Sequence, residues 1–198
     1  MSAMSFPRCK LQAGVFAVEF ALVLVLFLTF VFGVIELARA MYLFNTLQEV
    51  TRRAASGAAH IDFRDTAAKN RVRQAAIFRD SPGSLVLGGP VTAEHVRIDY
   101  MALVRAGDGS MTLTPIATGA MPSCPARNRV ICMQDPNDPS CIRFVRVRMC
   151  DPGDSGACTQ VSYQTIVPFV SLPVRLPMAT TIVTAETLGF SPGMPLCP

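Results

Sequence analysis

The sequence predicts an α+β protein: one long N-terminal helix, apolar enough in its first half to cross a membrane, packed through its second half on a small, disulfide-stabilised antiparallel sheet. Three observations predict this. Gly14 to Ile35 reads GVFAVEFALVLVLFLTFVFGVI, and no proline interrupts residues 15–81. From residue 96 onward, short β-rich runs alternate with turn residues. Of the seven cysteines, all but Cys9 lie after the apolar run, at Cys124, Cys132, Cys141, Cys150, Cys158 and Cys197.

A helix rises about 1.5 Å per residue, so about 20 apolar residues cross the roughly 30 Å hydrocarbon layer of a bilayer. Residues 15–35 are therefore assigned to a transmembrane helix, residues 1–14 to a short polar and basic leader, and residues 36–198 to one folded domain. The last part is about 160 residues, enough for one core and too few for two comfortable ones. Glu19 is the single charge in the span, and a charge inside a membrane helix costs on the order of 2.5 to 3.5 kcal/mol on insertion scales. A partner of opposite charge is the cheapest way to keep a carboxylate in low dielectric, so Glu19 predicts such a partner.

Beyond the span the helical pattern continues to about Ala59, with an apolar or small face at Leu37, Met41, Phe44, Leu47, Thr51, Ala55 and Ala58. The run AASGAA at 54–59 suits close backbone packing. Asp65 or Thr66 is placed to cap a second helix to about Arg79, stopped by Ser81, Pro82 and Gly83. Val96 to Val104 and Met111 to Ala117 flank AGDGS as a hairpin, and residues 118–140 read as a cysteine-held loop. Ile142 to Met149 and Gln160 to Val167 read as a second hairpin around DPGDSGA, followed by a proline-spaced bend and a last strand near Ala179 to Thr187.

An even set of six cysteines on one side of the span points to disulfides and an oxidising compartment, and the lack of any C-x-x-C pair argues against zinc. Cys141 and Cys150 bracket a predicted strand of about 30 Å, far beyond the roughly 7 Å that a disulfide tolerates. They should not pair. Cys150 and Cys158 sit at matching ends of the second predicted hairpin and are expected to bond; the other four are left open. The net charge is +4 with scattered arginines, which does not make the concentrated basic face of a nucleic-acid binder. Arg8 and Lys10 before the span are balanced by Arg39, Arg52 and Arg53 after it, so basic residues alone do not orient the helix.

A catalytic reading has some support in the sequence. Ala58, Ala59 and His60 with Gly153 to Gly156 (GDSG), and Asp99 between them, resemble the motifs of trypsin-like proteases in the right order. His60, however, falls at the end of the long helix, and the stretch from Asp99 to Ser155 is too short for the second barrel of that family. GDSG is more simply a turn. His95 is expected at the surface or a strand edge, and Arg143, Arg146 and Arg148 on a solvated sheet, with Arg143 on the opposite face. No catalytic residue, metal or cofactor is expected.

Counting from Gly14, four apolar residues precede Glu19 and Phe20, and Gly33, Glu36, Ala38 and Arg39 follow near the end of the span. This arrangement resembles the TadE family of pseudopilins, from the tight adherence (Flp, type IV) pilus assembly systems, although the proline often found in the family's span is missing. The resemblance implies a pilin-like fold, cleavage between Gly14 and Val15 by a prepilin peptidase, and Glu19 and Phe20 as residues that set pairing and register between subunits. It also implies a bacterial inner-membrane protein with a cytoplasmic N-terminus and a periplasmic domain. Its partners would be membrane lipid, other pilin-like subunits, the major pilin and an inner-membrane assembly platform. The alternative expectation is a single-pass anchored or secreted periplasmic domain that binds a ligand or envelope partner. For the secreted form, Ala38, Arg39 and Ala40 supply an A-x-A cleavage site.

Overall fold

The computed structural model describes residues 13–153, 157–166 and 174–197. Most of the expected leader, Asp154 to Gly156 of the GDSG turn, and the 167–173 part of the proline-spaced bend lie outside the described residues. The chain divides into two units, one ending at Arg39 and the other starting at Ala40. Helix α1, Ala13–Ala58, contributes to both.

Through the apolar run α1 is bare. Every side chain from Val15 to Phe30 is exposed, with Phe16 at 72% and Leu26 at 67%. The hydroxyl of Thr29 donates back to the Val25 carbonyl at 2.8 Å, which satisfies the one neutral polar side chain of the run without water.

The second unit has one core, between the α1 residues from Leu43 onward and one face of a four-stranded antiparallel sheet. Strands β1 (Val96–Arg105), β2 (Met111–Pro115), β3 (Phe144–Met149) and β4 (Thr180–Thr184) are ordered β2-β1-β3-β4. Val96, Tyr100 and Ala102 of β1 and Val145, Val147 and Met149 of β3 face the helix, as period-two alternation requires. The α1 side of this core is Leu43, Leu47, Val50, Ala54, Ala55 and Ala58. Thr51 ties the layers together, its hydroxyl 2.9 Å from that of Thr181 in β4. The buried stripe is thus rotated from the expected one: Leu37, Met41 and Phe44 are 63%, 61% and 40% exposed. Apolar spacing locates a helical face only to within a residue or two when both sides of the helix carry apolar residues, as here.

Close packing at AASGAA is confirmed. A Cβ on Gly57 would lie 3.0 Å from the Val72 side chain in α2, Thr66–Ala76. Asp65 caps α2 by accepting from the Ala68 amide at 2.9 Å. The helix stops at Ala76 rather than Arg79, because Ile77 turns into the core and Phe78 takes a positive φ of 60°. The AGDGS hairpin stands, Ala106 and Ser110 closing it at 2.9 Å.

Three expectations are corrected. The second hairpin does not form: β3 pairs with β1 and β4, and residues 161–163 instead bond to 174–176, the Leu176 amide meeting the Val161 carbonyl at 2.8 Å. Residues 118–140 are not all loop, since they contain α3, Pro125–Gln134. Proline at its first position suits a helix start, having no amide to leave unbonded. His95 is buried, not at the surface: it closes a 3-10 turn, its Nδ1 accepting from the Thr92 amide at 3.0 Å, and burial holds its pKa below the ordinary histidine value.

Three disulfides brace this unit. Cys150 bonds Cys158 as expected, with Cα atoms 4.9 Å apart, even though the loop they close is not the predicted hairpin. Cys132 bonds Cys141, joining α3 to the approach to β3, and Cys124 bonds Cys197, tying the C-terminal tail to the start of α3. Cys141 and Cys150 do not pair with each other.

Candidate assembly interface

The residues of the expected site fall on one uninterrupted helix. Gly14 and Val15 lie at the start of α1 as described, Ala13–Ala58. Val15 and Glu19 are four residues apart, so they share a face one turn from each other, about 6 Å along the axis. Glu19 is exposed, and its neighbours Val15, Val18 and Phe20 are 59%, 62% and 59% exposed. The carboxylate thus stands among apolar side chains that nothing in the described chain covers.

An apolar surface of this extent is not stable in water, since soluble monomers rarely expose contiguous apolar patches above a few hundred Å². Lipid or other helices are covers of matching chemistry. The helix is long and apolar enough to cross a membrane by length and composition. At the end of the apolar run Glu36 and Arg39 make an ion pair at 3.3 Å, with side chains only 10% and 9% exposed. This pair joins two of the residues singled out after Gly33, and it closes within one helical turn.

The other candidates are engaged elsewhere. His60 ends up exposed beside the last turn of α1, its Nδ1 2.8 Å from the Ser56 carbonyl. Asp99 is held by three guanidiniums: Arg148 at 2.7 Å, Arg146 at 3.0 Å and Arg97 at 3.4 Å. Asp99 is thus held by arginines rather than by His60, and Ser155 lies outside the described residues. Arg143 points away, donating to the Pro136 carbonyl at 3.4 Å, in line with its expected place on the other face. The convergence on Asp99 needs the β1–β3 register, in which Asp99 faces Arg146 and Arg97 faces Arg148. No local spacing in the sequence carries that signal.

Asn128 was also missed. Buried on α3, it accepts from the Ile142 amide at 2.8 Å and fixes the helix beside the Cys132–Cys141 bond. A groove of about 370 Å³ runs past Asn70, Arg73, Gln74, Thr92 and Glu94. Among the described residues, no group of three or more His, Cys, Asp or Glu is arranged to hold a metal ion.

An α+β domain carrying a bare, membrane-length helix with one acid near its start is the class that fold and site define. Residues 14–56 match the family model described as TadE-like protein, which bears out the resemblance read from Gly14, Glu19, Gly33 and Glu36. The matched segment is nearly all of α1 and stops before the sheet. No curated protein and no solved structure matches the chain.

Proposed function

We propose that the chain is a TadE-like minor pilin or pseudopilin that acts in assembly of an adhesive Flp-type pilus, without catalytic activity of its own. The observation that carries this reading is the exposed apolar helix with Glu19 fixed five positions beyond Gly14. A prepilin peptidase removes the leader between Gly14 and Val15. The freed ammonium of one subunit then meets Glu19 of a neighbour, and Phe20 packs beside it. The span stores the chain in the inner membrane, and the disulfide-braced unit faces the periplasm, where thiols are oxidised. Leu37, Met41 and Phe44 extend the apolar surface past the span toward the other pilin-like subunits, the major pilin and the assembly platform.

A second reading has one observation in its favour. The division between the two units falls at Arg39 and Ala40, inside the Ala38–Ala40 cleavage pattern, so signal cleavage would release one compact unit. Intact-mass and N-terminal peptide analysis of the chain from its native membrane separates the two. A start at Val15 is expected. A start at Met41 would instead support a secreted binding domain, and an uncut chain an ordinary anchor.

A further inference from the structure

We propose that β4 of one copy pairs with β2 of a second copy, so that identically oriented chains join edge to edge in a continuous sheet. Both strands are edges of the sheet. The backbone bonds at the strand ends fix which groups point outward. Ile116 donates to Tyr100, and Ala106 to Ser110, so Met111, Leu113 and Pro115 turn their amide and carbonyl groups away from β1. On the other side, Met149 donates to Ala179, and Ala185 to Arg143, so Thr180, Ile182 and Thr184 turn theirs away from β3. All six are exposed.

The two edges complement each other in direction, face and chemistry. The sheet is antiparallel throughout, so β4 runs with β1 and against β2. A copy displaced sideways without rotation therefore meets β4 with an antiparallel strand. The outward residues of both edges lie on the sheet face away from α1, which satisfies the requirement that opposed residues share a face. Ile182, 45% exposed, then opposes Leu113, 40% exposed, while Thr184 opposes Met111 and Thr180 opposes Pro115. About five backbone hydrogen bonds form, one fewer than a full ladder because Pro115 has no amide.

Charge fits as well. Glu186, which accepts from the Thr184 hydroxyl, comes within about two strand spacings, roughly 10 Å, of Arg105 at the exposed end of the neighbour's β1. Among the described residues Arg105 has no partner, and Asp108 of the adjoining turn is folded back on Ser110 at 2.7 Å. Pairing β4 with its own copy across a two-fold axis would close as a dimer and leave β2 uncovered, whereas pairing β4 with β2 satisfies both edges. The inference rests on the reading of the chain as an assembling subunit. A head-to-tail contact between copies related by translation alone does not close on itself and extends into a filament.

The test uses the full chain in its membrane with Leu113→Cys and Ile182→Cys together. The two edges of one copy are three strand spacings, about 14 Å, apart, so the added thiols cannot bridge within a chain. Oxidation is expected to give a ladder of dimers, trimers and higher species, and two differently tagged single variants a mixed dimer. A dimer from Ile182→Cys alone, or no added cross-link, overturns the proposal. If the new thiols disturb the three native disulfides, Ile182→Lys replaces them: the detergent-solubilised chain should shift to smaller species, and an unchanged size distribution overturns the pairing. Measuring the N-terminus of the same samples keeps the two readings apart. Val15 without a ladder removes the edge pairing alone, whereas a ladder from an uncut chain removes the pilin reading alone.

Discussion

Replacing Glu19 with Ala is expected to leave the chain fully inserted and cleaved, and to abolish its assembly with other subunits. Removing a charge from the span relieves about 2.5 to 3.5 kcal/mol of insertion cost, so the amount of protein in the membrane should not fall. The neighbour's ammonium, however, would then be left in low dielectric without a counter-charge. Removing one partner of a buried pair costs about 3 to 5 kcal/mol, and each 1.4 kcal/mol is tenfold in association. Recovery of the variant with its partner subunits should therefore drop by roughly a hundredfold or more. Glu19→Gln should behave like Ala, and Glu19→Asp should retain part of the association. Wild-type recovery and surface adhesion with Glu19→Ala would remove the pairing role while leaving the anchor intact.

Losing the Cys124–Cys197 bond is expected to be the most damaging single change to the folded unit. It spans 73 residues, whereas Cys132–Cys141 spans 9 and Cys150–Cys158 spans 8. On the chain-entropy account the long bridge contributes about 4 kcal/mol and each short one about 2.5 kcal/mol, because a longer closed loop removes more freedom from the unfolded chain. The tail it secures makes specific contacts too: the Leu188 amide meets the Ala59 carbonyl at 3.0 Å, and Gly189, at φ +80°, passes so close to Asp62 that a Cβ would lie 2.6 Å from its backbone nitrogen. Changing both Cys124 and Cys197 to Ser should lower the thermal midpoint by about 10 °C in the detergent-solubilised chain, at roughly 2 to 4 °C per kcal/mol for a unit of this size. The same exchange at either short bridge should lower it by clearly less. A larger drop from a short bridge would contradict the account.

Much of the helical half was legible because its signals are local. Apolar length, absence of proline and the Asp65 cap each act within a few residues, and the AGDGS turn did the same for the first hairpin. The second hairpin failed because β3 finds its partners, β1 and β4, far along the chain, and proximity in sequence favoured residues 160–167 instead. Cys150 and Cys158 were still paired correctly, since an 8-residue separation brings the two together however the flanking strands run. Helix α3 escaped notice because proline, asparagine and aspartate crowd its flanks, and the bonds at Cys124 and Cys132 support it where apolar spacing does not. At the candidate interface, the positions of Gly14, Glu19 and Glu36 were legible from spacing. The Glu36–Arg39 pair and the arginines around Asp99 are products of helix closure and strand register.

The most direct test of the pairing on which this account depends is zero-length coupling of Glu19. A membrane-permeable carbodiimide, applied to assembled material made from two isotopically distinct populations, joins a carboxylate only to an amine already touching it. Mass spectrometry is expected to find an amide between Glu19 of one chain and the terminal amine of Val15, or of another mature subunit, from a different chain. Coupling confined to a chain's own terminus, or a Glu19 modified by the reagent and never joined to an amine, would contradict it.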